Sequence, residues 1–288
     1  MKKTIAILFT LIMLAACSGT NSYSSLSDGD EVIFSGPGMT YTKNDLYKSL
    51  KVASTDAVVD DIVKNIAMTY DLDYDAIEAE AQSAIDGYIE GGYESYIVAY
   101  YGSVEAFKEL YISDLLIGKL ANIYVEDNFD SMTENDAPVK MQMASFKDIA
   151  EAEQCIEDMN NGTTFDTAAL NNNSQSSPEA KIYTDTDSSL VYEVKEYLNS
   201  HDSLGLSDII TYTVTSTDAD GQQQEDNTYY LLNVISRDVN EFKDEYVELA
   251  ASSVEADTLY SYLFNKHDIQ FYDQDLYELV TKEYEVLK

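Results

Sequence analysis

His201 and His267 are the only imidazoles in the sequence, and neither stands in a pattern that makes a site. His201 lies in NSHDSLGLSD, a loop-like stretch, and His267 follows far downstream. A Ser-His-Asp hydrolase would have to use one of them, yet no nucleophile-elbow motif accompanies either. No His/Cys cluster has zinc spacing. STDADGQQQEDN (216–227) puts Gly221 at the sixth position of a calcium loop, but Ser216 and Asn227 occupy the first and twelfth. A hairpin turn at Asp220-Gly221 explains that stretch with less effort. Cys155 falls on the apolar face of an expected helix, where a thiol acts as a small buried hydrophobe. Glu151, Glu153 and Asp158 nearby oppose the depressed pKa of a reactive thiol. The residues therefore assign no catalytic group, no metal ligand and no cofactor.

The 24 tyrosines carry a different kind of chemistry. Many sit near loops or helix ends, as Tyr93, Tyr96, Tyr100 and Tyr101 do. They read either as packing at the edge of a core or as contact surface for unfolded chains, since Tyr offers large area at low entropy cost. Charge limits the partners. With 53 acids against 17 bases the formal net charge is -36, so nucleic-acid binding through a basic patch is excluded. The acidity keeps the chain soluble by self-repulsion and attracts cationic clients or divalent ions. At 45% apolar residues and 288 in length, the chain is globular, with one or two domains.

These residues need elements to hold them. VKMQMASF (139–146) alternates apolar residues as a half-buried strand does. Asp148 then caps a helix, with Glu151 at capping-box spacing, Ala152, Cys155, Ile156 and Met159 on one face, and Asn161-Gly162 as its stop. A short helix in TTFDTAAL, a polar loop, and a hairpin of TYTVTS and NTYYLLNVIS around a DADG turn complete the stretch Val139 to Ile235. Before it, Glu31 to Tyr41 reads as two short strands, and Thr42 with Asp45 opens a helix. Helices follow over Asp56–Tyr70, Asp73–Glu90 and Glu94–Tyr101. The longest is capped by Ser103 and lined by Phe107, Leu110, Ile117, Ala121 and Tyr124, with Leu115, Leu116 and Leu120 widening that face. After it, Asp238 to Asn265 reads as one long helix. Val125–Val139 and Ser236–Asn240 read as hinges. At the start, Lys2 and Lys3 precede the apolar run Ile5–Leu14, which is too short to span a membrane as a mature helix.

Three resemblances extend this reading. Leu14-Ala15-Ala16-Cys17 resembles the lipobox of bacterial lipoproteins, which implies cleavage before Cys17 and its diacylation. Loss of residues 1–16 removes two lysines and takes the formal charge from -36 to -38. Two acyl chains hold a protein stably to a bilayer. Ser18 to Asp30 then reads as a tether. VKMQMASFKDIAEAEQCIEDMNNGTTFDTAA, LVYEVKEYLNS and TYYLLNV, in that order, resemble the opening, middle helix and closing strand of a parvulin-type peptidyl-prolyl isomerase domain. In that family two histidines face one another; here Met143 and Tyr230 stand at the matching positions, and IYTDTDSS replaces the usual Gly-Asp-Leu-Gly turn. EVIFSGPGMTYTKNDLYKSLK, YESYIVAYYGSVEAFKELYISDLLIGKLANIYVED and HDIQFYDQDLYELVTKEYEVLK resemble the hairpin, long helix and C-terminal tail, a short strand and last helix, of the PrsA and SurA family of extracytoplasmic chaperones.

The resemblance implies an α+β protein: a mainly helical chaperone domain from the N- and C-terminal segments, with a parvulin-like α+β unit inserted. The segments are 1–16 signal peptide, 17–30 tether, 31–137 helical, 138–236 insert and 237–288 helical, the last packing on the first helical segment. The implied function is a membrane-anchored extracytoplasmic foldase that holds unfolded exported polypeptides, without isomerase catalysis. Met141, Met143, Phe165, Tyr230 and Leu232 are its expected degenerate cleft and client contacts. An active isomerase and a solute- or cation-binding surface lipoprotein are the alternatives, and a homodimer stays open.

Overall fold

A computed structural model describes residues 26–217 and 222–283. Cys17, the leader and the DADG turn lie outside the described residues. The fold is α+β.

The described chain opens on a turn at Leu26–Asp30, whose backbone binds the start of the first helix (Asn44 N to Gly29 O, 2.9 Å). The last residues read as tether are thus folded. β1 (Val32–Gly36) and β2 (Met39–Thr42) form an antiparallel hairpin. Thr42 and Asp45 exchange backbone and side-chain hydrogen bonds in a capping box, which opens α1 (Lys43–Ala53). α2 (Thr55–Ala67), α3 (Tyr74–Glu90), α4 (Glu94–Tyr101) and α5 (Val104–Asp127) follow; Ser103 caps α5 as expected, and Asp73 caps α3. The buried stripe of α5 runs through Leu116, Leu120, Ala121 and Val125, whereas Leu110 is exposed. Ile112 and Leu115 still pack on that core, but Leu110 turns away from it, so the apolar face drawn from spacing is displaced there.

The stretch expected as a first hinge is mostly helix. α5 runs on to Asp127 and α6 (Phe129–Asp136) follows, leaving Ala137-Pro138 as the joint. Ala137 takes a left-handed conformation (φ 43°) that ends the helix. The insert then runs β3 (Val139–Phe146), α7 (Ile149–Asn160), α8 (Phe165–Asn171), β4 (Lys181–Tyr183), α9 (Tyr192–Ser200), β5 (Gly205–Leu206), β6 (Ile210–Thr217) and β7 (Gln223–Ser236). All pairings are antiparallel: β4 and β7 flank β3, while β5 and β6 share the other edge of β7. Asp148 caps α7 through Ala150 N, but Glu151 turns away to accept from Asn173, so no capping box closes there.

Both faces of this sheet are covered. Met141, Leu232 and Val234 pack with Val194 and Leu198 of α9. Ala144, Phe146 and Leu231 pack with Cys155 of α7 and Phe165 of α8. Arg237, the only arginine in the sequence, donates to the carbonyls of Leu198 and His201 and ties the end of β7 to the end of α9.

The chain returns through a tight turn at Val239–Phe242, α10 (Lys243–Ala251), α11 (Ala256–Lys266) and α12 (Gln274–Glu283). The single long helix expected over 238–265 is broken at Ser252-Ser253. The Ser252 hydroxyl bonds the Leu249 carbonyl, the local competition that makes serine a poor helix interior. The break lets two stripes serve two cores. Tyr246, Val247 and Ala250 pack on Val125. Leu259, Leu263 and Phe264 pack on Val59, Val63 and Leu120, where the two ends of the chain meet. Lys51 adds an ion pair from α1 to Asp273 (3.0 Å) and Asp275 (2.8 Å). The short strand expected at the start of HDIQFYDQDLYELVTKEYEVLK does not form: among the described residues Ile269–Asp273 belongs to no sheet.

Candidate functional site

β3 and β7 put Met143 and Tyr230 on one sheet face, both half-buried against the cluster under α9. Met141 and Leu232 share that face but are fully buried, so they offer no surface to a client. Phe165 is buried on the opposite face. The five residues expected in one cleft are therefore split: two accessible, two sealed beneath α9, one across the sheet. Parity along the strands separates the faces, but no local signal indicates that α8 and α9 cover opposite sides.

Burial pushes the Tyr230 phenol pKa up, and Tyr212 and Glu193 push the same way. One carboxylate oxygen of Glu193 is buried without a hydrogen-bond partner. Both imidazoles are engaged elsewhere. His201 stacks on Tyr197 (4.2 Å between centroids) at the end of α9. His267 meets the Tyr70 hydroxyl at 3.0 Å in the helical body, where burial and then Lys266 lower its pKa. Rotation about a peptide bond faces a barrier of about 18–20 kcal/mol. Lowering it requires polar groups preorganised around the twisted amide; the groups at these two positions are the Met143 thioether and the Tyr230 phenol.

A cleft of about 560 Å³ opens between the body and the insert. Tyr124, Met132, Tyr246 and Leu249 line it from the body, and Ile182 and Thr184 from the insert. Its floor is fixed: the Tyr246 hydroxyl donates to Asp136 Oδ2 at 2.7 Å, and the Asp185 amide donates to the Asp136 carbonyl at 2.9 Å. Burial, then this carboxylate, raises the Tyr246 pKa. Met132 and Ile182 are invisible as site residues in the sequence, because Met132 lies in the stretch that reads as a hinge and Ile182 opens IYTDTDSS, which stands in the place of a turn. A second groove, of about 600 Å³, lies between α2 and the segment before α12, lined by Ile62, Ile66, Ile269, Phe271 and His267.

At the far end of the body, Tyr93, Tyr96, Tyr100 and Tyr101 are all exposed around α4. Tyr101 packs on Phe107 and Tyr93 meets Tyr88 edge-on, while Tyr96 and Tyr100 touch each other. Cys155 is fully buried, and burial followed by Asp158 pushes its thiol up to about 11. Among the described residues no group of three His, Cys, Asp or Glu side chains is placed to hold a metal ion. No helix among them is long and apolar enough to cross a membrane.

No family model matches the sequence, and no curated protein sequence matches it. Among solved structures, the α+β outline is similar to foldases over most of its length. The foldase protein PrsA from Streptococcus pneumoniae is 15% identical, with 88% of this chain and 99% of that chain covered at a TM-score of 0.44. The peptidylprolyl isomerase PrsA from Bacillus cereus is 15% identical, with 89% and 99% covered at 0.41. The foldase protein PrsA from Lactococcus lactis is 14% identical, with 88% and 98% covered at 0.41.

Proposed function

We propose that the protein is a holding chaperone for extended polypeptides outside the cytoplasm, anchored to the membrane through diacylated Cys17, and that it does not catalyse proline isomerisation. The helical segments 31–137 and 237–288 form the holding body, and 138–236 is a parvulin-like insert that serves as its second wall. The observation that carries this reading is the cleft between them. Aromatic, thioether and aliphatic side chains line it together with polar groups, among them Asp136, Thr184, Asp187 and Glu255, and Leu249 is 41% exposed at its side. Such a surface accepts many apolar sequences, because Met and Tyr adapt their contacts. Holding in this reading is weak, reversible and independent of ATP.

The test is suppression of aggregation of a denatured client by the chain beginning at Ser18, with and without Leu249→Asp. The wild type should delay aggregation at equimolar concentration, and the variant should lose most of the effect while melting at the same temperature. No suppression by the wild type, or equal suppression by both, overturns the reading. Anchoring is tested separately: labelled palmitate should enter the full chain and be lost in Cys17→Ala.

A further inference from the structure

We infer that the exposed tyrosine surface where α3, α4 and α5 meet is a second docking site, and that its occupant is an extended polypeptide segment rich in Arg and Lys. This surface is remote in sequence from the cleft residues and stands or falls independently of them.

α4 buries only Ile97 of its eight residues. Tyr96 is 54% and Tyr100 71% exposed, one helical turn apart, with ring centroids 4.3 Å from each other. Tyr88 and Tyr101 pack on Phe107 at 5.7 and 4.7 Å. The rings are therefore held by each other and remain open to solvent. Gly92 (φ +85°) and Gly102 (φ +83°) turn the chain at both ends of α4, in a backbone conformation that side chains resist. The platform is preorganised, and contiguous exposed apolar surface of this kind marks an interaction site.

The charge around it selects the occupant. From Tyr74 to Gly118 the sequence carries nine carboxylates and one base, Lys108, which lies 3.7 Å from Glu78. Asp86, Glu90, Glu94 and Glu105 are exposed around the rings. An anionic bilayer, a phosphate-bearing glycan or a second copy of this acidic surface would be repelled. A guanidinium or ammonium gains from both features, since tyrosine faces attract cations and the carboxylates around them add to that attraction.

The test is fluorescence anisotropy of short unstructured Gly-Ser-Leu peptides bearing several arginines, several glutamates or neither, titrated with the chain beginning at Ser18. The arginine peptide should bind, and more weakly as ionic strength rises. Tyr96→Ala with Tyr100→Ala should weaken it about tenfold. The matching Phe pair should retain binding, and Glu90→Gln with Glu94→Gln should weaken it. The exposure of these side chains lets melting temperatures confirm that each variant folds. Equal binding of all three peptides, no binding of the arginine peptide, unchanged binding by the tyrosine variant, or phosphatidylglycerol vesicles binding through the same tyrosines would each overturn the inference.

Discussion

Met143 and Tyr230 stand one diagonal step apart on the same face of neighbouring strands, because Met143 pairs with Leu232 and Ser145 with Tyr230. Diagonal neighbours on a sheet lie roughly 7–8 Å apart. The two side chains therefore lie side by side beneath α9 and do not oppose one another across a groove. A protease-coupled assay with proline peptides should accordingly show no acceleration above background at micromolar protein. A rate that appears with the wild type and disappears in Tyr230→Phe would make the phenol catalytic and reverse this conclusion.

Met141 and Leu232 share that face but have no exposed surface. Their contribution is to the insert's core, beside Val194 and Leu198. Met141→Ala or Leu232→Ala should each destabilise by about 2–5 kcal/mol, as buried large-to-small changes do. Urea unfolding should show a lower midpoint at an unchanged slope. Unaltered stability together with weakened client binding would return both residues to the surface.

The local signals were the legible ones. The Thr42–Asp45 capping box, the Ser103 cap and the Gly162 stop are short-range chemistry, and each formed where the sequence placed it. β3 and β7 were legible from alternation. What failed depended on partners distant in sequence. Leu110 belongs to a plausible helical stripe, yet α5 has no neighbour there to bury it. Phe165 and Met141 both read as inward, and only the placement of α8 and α9 decides that they point to opposite faces. Ser252-Ser253 is a readable weakness inside an otherwise periodic helix, masked by apolar spacing that continues beyond it. The cleft was hidden for the same reason: α6 is polar in sequence and gains meaning only from Tyr246 against Asp136.

Lys51 joins α1 to the C-terminal segment through Asp273 and Asp275, and the pair with Asp273 is largely shielded from solvent. Burial alone would raise the Asp273 pKa. The Leu276 amide at 2.9 Å and the Lys51 ammonium outweigh it and hold the carboxyl below its ordinary 3.8. A depressed carboxylate contributes stability above its unfolded pKa and loses it as pH falls through the folded value. Stability should thus be full above about pH 5 and decline below about pH 4. Asp273→Asn should cost about 1–2 kcal/mol at neutral pH, since Asp275 still holds Lys51, and should flatten the acid decline. Urea unfolding across that range checks both; an unchanged acid slope in the variant would remove Asp273 from the account.

Cys155 sits at the centre of the α7 face, enclosed by the sheet. Burial first, and the Asp158 charge second, raise its pKa from 9.0 to about 11, so it forms on the order of a hundredfold less thiolate than an ordinary cysteine at neutral pH. The folded chain beginning at Ser18 should therefore resist a thiol reagent at pH 8, and denaturant should release one reactive thiol per chain. Because the thiolate is penalised only in the folded state, the stability this burial contributes persists below the ordinary thiol pKa and is lost as pH rises toward 11. Labelling should then track unfolding, accelerating with urea in proportion to the open population. Native-state labelling at the rate of a free cysteine would mean that the α7 face opens without global unfolding, and the insert could not act as a rigid second wall of the cleft.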